Sequence, residues 1–177
     1  MDEIELVPAN PDWPRLFAEE AARLRAIIPA DLLIDLDHIG STAVLGLPAK
    51  PVIDMLATVT DLEAAKARLV APLEAAGYAF WAENPDADRL FFVKGLPPSA
   101  PRRTHHLHIM EPGPAALRHI AFRDHLRADR ADAARYAALK TDLAARFADD
   151  REAYTAAKGA FIADMLDAAA ARTDVNA

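Results

Sequence analysis

A single acidic residue, Asp54, interrupts the apolar segment 51–59. If that segment is a strand, alternation places Asp54 on the opposite face from its immediate neighbours in the chain. A carboxylate in such a strand is costly to bury unless it is paired, hydrogen-bonded or bound to a cation. An ion pair with Lys50 or Lys94 would satisfy it, and so would a role in metal binding or proton transfer.

Three of the six histidines lie within residues 105–108. On a strand, residues two apart point the same way, so His106 and His108 share a face and His105 points away. Two imidazoles and the Asp54 carboxylate resemble the ligand set of a metal site, and the same groups could transfer protons. The alternative is an edge strand whose histidines only make hydrogen bonds. We take Asp54, His106 and His108 as candidate catalytic residues and candidate metal ligands.

A short polar motif, Gly40-Ser41-Thr42, follows directly after a predicted strand. Glycine relieves the backbone there, and successive N–H groups with two hydroxyls could bind a phosphate or another anion. Many strand-to-helix turns have the same pattern, so a purely structural turn is an equally good interpretation of the motif alone. We take its three residues as candidate ligand-binding residues.

Residues 118–158 are mildly basic, with nine Lys or Arg against seven Asp or Glu, although the whole chain has a formal net charge of −7. We expect this segment to face the Gly40-Ser41-Thr42 motif. Basic pairs at helical spacing can bind phosphate, yet they are more often part of a solvated helix face. Five basic side chains are candidates to neutralise a bound phosphate: Lys50, Arg123, Arg127, Lys140 and Lys158.

Composition narrows the classes of function. A chain of 177 residues with 53% hydrophobic residues can bury a sizeable core in one domain. The absence of cysteine excludes disulfide scaffolds and thiol catalysis, and leaves only histidine and carboxylate ligands for any metal. The acidic charge argues against an extended nucleic-acid partner, and no segment reaches the about 18 apolar residues of a membrane span. With no signal peptide apparent, we expect a cytoplasmic protein whose partner is a small phosphorylated molecule; the sequence identifies no protein partner.

Hydrophobic periodicity predicts the elements that must position these groups. Helices are predicted over two segments of the first half, 12–28 and 61–76. Strands are predicted over five segments: 32–39, 51–59, 78–82, 89–94 and 104–110. Within the first strand, four side chains are expected to share one face: Leu32, Ile34, Leu36 and His38.

The remainder of the chain is predicted to be helical, from Pro114 to about Ala171, with breaks near 129–132 and 149–150. The order of elements indicates the α/β (α+β) class, with a mixed sheet and flanking helices. We predict a single domain over residues 1–177 that includes a helical C-terminal lobe over 113–172.

Several segments, in order, resemble the bacterial GrpB family: HIGSTAVLGLPAKPVIDMLATV, HHLHIM, FRDHLR, YAALK and YTAAKGAFI. The resemblance runs from about Ile4 to Phe161 and implies a nucleotidyltransferase-like fold. In that fold a Gly-Ser pair holds a triphosphate, and an Asp-x-Asp on the next strand binds two divalent metals. Gly40-Ser41 and Asp54 match these elements.

One departure from this pattern bears on function, because the same-face neighbours of Asp54 are Val52 and Leu56, so the second carboxylate is missing. One carboxylate with two imidazoles would favour Zn²⁺, Mn²⁺ or Ni²⁺ over Mg²⁺, or no metal. In some bacteria a domain similar to this family is fused to dephospho-CoA kinase, which indicates nucleotide or coenzyme A metabolism.

The leading hypothesis is a nucleotidyltransferase-like protein that binds a nucleotide as ligand or substrate, with a divalent metal whose identity the sequence does not give. Two alternatives stay open. One is a non-catalytic nucleotide-binding or regulatory module that keeps the fold. The other is a metal-dependent phosphohydrolase that uses Asp54, His106 and His108.

Overall fold

A five-stranded mixed sheet organises the computed structural model, which describes residues 5–98 and 100–175. Its strands in chain order are β1 (Leu33–Ile39), β2 (Ile53–Val59), β3 (Tyr78–Phe80), β4 (Arg89–Lys94) and β5 (His105–Met110). Their order across the sheet is β1-β2-β5-β4-β3. Strands β2 and β5 run parallel, and the other neighbouring pairs run antiparallel. The mixed sheet confirms the predicted α/β class.

Five helices flank this sheet: α1 (Trp13–Ile27), α2 (Leu62–Ala75), α3 (Pro114–Ala128), α4 (Arg130–Arg146) and α5 (Arg151–Val175). Asp61 caps α2, because its side chain accepts a hydrogen bond from the Ala64 N–H at 2.8 Å. Asp129 separates α3 from α4 and caps α4 through the Asp132 N–H. The predicted break near 129–132 is therefore confirmed. Within the parts of the chain that the structure describes, no helix is long and apolar enough to cross a bilayer.

One side of the sheet, which we call the core face, packs against α1 and α2. Strand β2 contributes Ile53, Met55 and Ala57 to it, and all three are buried in the main hydrophobic cluster with Leu24 of α1 and Leu69 of α2. This alternation along β2 is the one that the sequence predicts. The core face therefore provides most of the apolar burial that stabilises the fold.

The opposite side, which we call the lobe face, carries Asp54, His106 and His108. Helix α3 covers part of it through a small apolar cluster: Ile39, Leu56, Met110 and Ala116. A second cluster joins the loop after residue 43 to α3, α4 and α5: Val44, Leu47, Phe122, Leu126, Tyr136 and Met165. The three C-terminal helices thus pack on the loop that directly follows the Gly40-Ser41-Thr42 motif, as expected. That the whole chain forms a single domain stays a prediction.

A buried charged cluster joins α1 to β3 and β4, at the edge of the sheet farthest from β1. The Glu20 carboxylate, on a residue that is 1% exposed, accepts hydrogen bonds from the Tyr78 hydroxyl at 2.8 Å and the Lys94 Nζ at 2.6 Å. Arg23 donates to its second oxygen at 2.9 Å. Burial alone would raise the pKa of Glu20, but these three donors outweigh it and leave the pKa below its usual value.

One detail of the first strand was predicted wrongly. Leu36 and His38 are buried on the core face, but Ile34 is 53% exposed. The register of β1 shifts between Leu33 and Asp35, so that Leu33 pairs with Val59 and occupies the core-face position. The bulge moves Ile34 out of the alternation, which sequence periodicity cannot anticipate.

Candidate functional site

A cleft of about 90 Å³ opens where the lobe meets the sheet. It is bounded by a single 3-10 turn (Ser41–Ala43), the segment before β2, strands β2 and β5, and helices α4 and α5. Its lining residues are Leu6, Ser41, Thr42, Ala49, Lys50, Val52, Asp54, His106, Lys140, Tyr154 and Lys158. Most of the residues selected from the sequence therefore come together in one place.

Gly40 brings the 3-10 turn against the floor of this cleft. Its φ of +69° lies in the region that disfavours residues with a Cβ. A Cβ built on Gly40 would lie 2.6 Å from the Asp54 Oδ2 atom. Glycine is required at this position for two reasons, and the second one, the close approach to the carboxylate, is visible only in three dimensions.

Asp54 and His106 form a hydrogen-bonded pair on adjacent parallel strands. They are register partners, and the Asp54 Oδ1 lies 2.9 Å from the His106 Nδ1. Burial disfavours the charged carboxylate, but the hydrogen bond from His106 and the nearby positive charges outweigh burial and lower the pKa of Asp54 to about 2. The His106 Nε2 is buried and has no hydrogen-bond partner among the described residues. The carboxylate thus fixes the orientation of the His106 imidazole.

His108 shares the lobe face with His106 but does not line the cleft. It packs against the rings of Phe91 and His119, with centroid distances of 4.8 and 5.4 Å. Burial lowers the pKa of His108 to about 3, so its imidazole is neutral at physiological pH. His119 was not selected from the sequence as a candidate, because nothing there shows that α3 crosses this part of β5.

The predicted metal ligands do not form a compact set in this geometry. Within residues 5–98 and 100–175, one group brings three potential ligand atoms within 4.8 Å of one another, and it is His125, Asp129 and Asp132. These residues serve the helix junction, since Asp129 caps α4 and Asp132 binds His125 at 2.8 Å and Arg135 at 2.9 Å. Metal binding by Asp54, His106 and His108 stays a prediction.

Three lysines surround the cleft. The Lys140 side chain is buried, and its Nζ donates to the Ser41 Oγ at 3.0 Å and to the Pro48 carbonyl oxygen. Burial and the charge of Lys158 lower the pKa of Lys140 to about 7. The ammonium groups of Lys50 and Lys158 lie 4.5 and 5.3 Å from the ring centre of Tyr154. The Tyr154 ring was not selected from the sequence, although its spacing from Lys158 was a signal for it.

The two predicted arginines lie outside the cleft lining. Arg123 donates to the Asp37 Oδ1 at 2.7 Å and to the His38 carbonyl at 3.1 Å. Arg127 donates twice to the Ala43 carbonyl, at 3.0 and 2.9 Å. Both side chains hold α3 against the end of β1 and the 3-10 turn. They therefore position the cleft without lining it.

Thr42 also has a structural position. Its residue is buried, its hydroxyl lies 3.0 Å from the His38 Nε2, and it donates to the Val52 carbonyl at 3.4 Å. These contacts fix the 3-10 turn against β2. Ser41 supplies the hydroxyl of the motif that accepts a hydrogen bond from Lys140.

Comparison with known proteins finds the same family along nearly the whole chain. The family model described as GrpB protein matches residues 3–168. A UPF0157 protein of Pseudomonas aeruginosa is 49% identical over 172 residues, which cover 97% of this chain and 70% of that protein. A dephospho-CoA kinase of Mycolicibacterium paratuberculosis is 34% identical over 183 residues, which cover 91% of this chain and 44% of that protein. The crystal structure of conserved protein GrpB from Enterococcus faecalis has a TM-score of 0.83 and 34% identity, and the match covers 96% of this chain and 99% of that one.

Proposed function

We propose that this chain, which belongs to the GrpB family, binds the phosphate group of a small phosphorylated molecule, a nucleotide in the leading case, in the cleft between the 3-10 turn and helices α4 and α5. One observation carries the proposal. Ser41, Lys50, Lys140 and Lys158 come from four separate segments and line the same cleft as the Asp54–His106 pair.

The size of the cleft supports a phosphate as the buried part of the ligand. Its volume of about 90 Å³ is well below the roughly 300–1,000 Å³ of sites that enclose a drug-sized molecule. A phosphate group fits such a volume, and the remainder of a nucleotide would extend outward from the mouth. Ammonium groups and a hydroxyl supply charge-assisted hydrogen bonds to phosphate oxygens.

The Asp54–His106 pair would supply proton transfer. With the Nδ1 proton donated to the ionised Asp54, the neutral imidazole of His106 would have its lone pair on Nε2 and could act as a general base. In a nucleotidyl transfer, His106 would take the proton of an acceptor hydroxyl as its oxygen bonds to phosphorus. The phosphorus–oxygen bond to pyrophosphate would break, and pyrophosphate would leave with the electron pair.

A non-catalytic binding module is the second candidate, and one observation favours it. Val52 lines the cleft on the same face of the chain as Asp54, where the family resemblance implies a second carboxylate. An apolar side chain there cannot contribute to the electrostatics of transfer. The module would keep the phosphate contacts and lose the reaction.

Calorimetric titration with ATP and with dephospho-coenzyme A tests the binding proposal. We expect saturable binding to the wild-type protein that Lys158→Ala weakens by about tenfold or more, since a hydrogen bond to a charged group contributes about 1.5–3 kcal/mol. The matched control is Lys66→Ala, which removes an exposed lysine from α2. Failure of both probes to bind the wild-type protein, or equal weakening in the two variants, would overturn the proposal.

Release of pyrophosphate from ATP, assayed with an added alcohol that supplies the acceptor hydroxyl, separates the two candidates. Release by the wild-type protein that His106→Asn abolishes supports transfer. Binding of ATP without any release supports the module, because the phosphate contacts would then act without the proton acceptor.

A further inference from the structure

We propose that lysine ammonium groups, rather than divalent metal ions, neutralise the phosphate bound in this cleft, so that phosphate binding does not require a metal. The inference rests on the proposed function and deepens it by naming what balances the charge of the ligand. Four features of the described residues support it: the carboxylates, the imidazoles, the lysines and the total charge of the lining.

The carboxylates do not fit a two-metal site. Two metal ions about 4 Å apart need several anionic oxygens between them. Asp54 is the one carboxylate among the described residues that line the cleft. Leu56, its neighbour on the lobe face, is fully buried in the apolar cluster under α3. Asp37, which pairs with Leu56 across β1 and β2, already binds Arg123 at 2.7 Å.

The imidazoles do not compensate for the missing carboxylate. His106 directs its Nδ1 at Asp54, which leaves one nitrogen for any further ligand. His108 does not line the cleft and packs between aromatic rings instead. A single imidazole nitrogen beside one carboxylate supplies two protein ligands, one fewer than the three that hold a catalytic zinc ion.

The lysines line the cleft beside Ser41, where we propose that the phosphate binds. The Lys140 Nζ is bonded to the hydroxyl of Ser41, the residue that the motif offers to a phosphate. Lys158 is close enough to Lys140 to lower its pKa, which means that the two ammonium groups repel each other in the absence of an anion. An anion bound between them would remove that repulsion.

The total charge of the lining points the same way. Three lysines, Lys50, Lys140 and Lys158, line the cleft beside the single carboxylate of Asp54. Their ammonium groups would attract a phosphate dianion. The same groups would repel a divalent cation.

Titration of ATP in the presence of EDTA, and again with Mg²⁺, Mn²⁺ or Zn²⁺ in place of EDTA, tests the inference on the wild-type protein. We expect the dissociation constant in EDTA to lie within about threefold of the values with metal, because the lysines supply the charge. ATP binding that appears only when a metal is added would overturn the inference and leave the proposed function intact. ATP binding under none of these conditions would overturn the proposed function itself.

Two variants sharpen the result. Asp54→Asn removes a negative charge beside the anion, so we expect ATP to bind as tightly as in the wild-type protein or more tightly. At a metal-dependent site the same change would abolish binding by removing the metal's carboxylate.

Lys50→Ala is expected to weaken ATP binding by about tenfold, in EDTA and in metal alike. Circular dichroism of both variants confirms that they are folded, and a Lys50 effect confined to the metal-containing samples would also overturn the inference.

Discussion

Glu20 and Asp54 are acidic residues on opposite sides of the same sheet, and their surroundings differ in kind. Glu20 receives hydrogen bonds from Tyr78, Lys94 and Arg23, and both of its oxygens are engaged. Asp54 receives one hydrogen bond among the described residues, from His106. Its side chain is 31% exposed and lines the cleft. Buried polar groups in native proteins are nearly always satisfied. The completed cluster is therefore structural, whereas the incomplete one leaves places for a ligand.

The largest expected effect is on the free energy of unfolding, when the Glu20 cluster is disrupted. Glu20→Ala leaves the Tyr78 hydroxyl and the Lys94 ammonium without their acceptor, so we expect the free energy of unfolding to fall by about 3 kcal/mol. Denaturant titration measures the loss, and ATP binding by the folded protein should not change. The control is Glu19→Ala, whose pair with Arg15 is exposed and therefore contributes little to stability. An equal loss in the two variants would contradict a structural role for the Glu20 cluster.

A smaller effect is expected where the 3-10 turn meets Asp54. Gly40→Ala imposes a strained φ and drives a Cβ against the Asp54 carboxylate, so we expect a loss of about 2 kcal/mol and weaker ATP binding. Thermal unfolding and calorimetry measure the two effects. Gly46→Ala is the matched control, because Gly46 also has a positive φ but nothing lies within 4 Å of its added Cβ. That variant should keep its affinity for ATP, and a comparable loss of affinity there would contradict the importance of the close approach.

The third prediction concerns the pH dependence of anion binding. Because the pKa of Lys140 is about 7, an anion beside it favours the protonated form and binding takes up a proton above that pH. We expect sulfate, whose charge is constant over this range, to bind up to about tenfold more weakly per pH unit between about pH 7 and 9. Calorimetry measures the affinity. Lys140→Arg keeps the charge without titrating, so its pH profile should be flat, and an unchanged slope in this variant would rule out Lys140 as the group responsible.

The fourth prediction concerns stability in acid. The pKa of Asp54 in the folded protein, about 2, lies below its usual value of 3.8, so the unfolded chain binds more protons between these values. The contribution of Asp54 to stability is present above about pH 4 and is lost as the pH falls towards about 2. The stability of Asp54→Asn should depend less steeply on pH in this window. Parallel slopes for the two proteins would show that the Asp54 pair does not stabilise the fold.

Local periodicity was sufficient to predict which side chains share a face. Alternation along β5 placed His106 with His108 and opposite His105, and alternation along β2 placed Asp54 opposite its neighbours, because a strand positions side chains through its own backbone. The register that sets Asp54 directly beside His106 depends on pairing between distant segments. For that reason the contact itself could not be derived from either segment.

The contacts that the sequence did not reveal all join elements far apart in the chain. Arg123 and Arg127 were chosen for their charge, but their partners are groups of β1 and the 3-10 turn, which only the docking of α3 brings near. The Glu20 cluster was missed for the same reason, since Tyr78 and Lys94 lie 58 and 74 residues away. Sequence patterns identify candidate residues by type, whereas packing between distant segments determines which of them are in contact.

The parallel pairing of β2 with β5 has a kinetic consequence. Asp54 and His106 are 52 residues apart, and the intervening chain contains α2, β3 and β4. Forming contacts between residues so far apart in the sequence costs a large loop-closure entropy. Such contacts therefore tend to form late on the folding pathway. Substitutions in the pair should therefore act mainly on the unfolding rate. The Asp54–His106 pair is then among the last features that a newly made chain acquires.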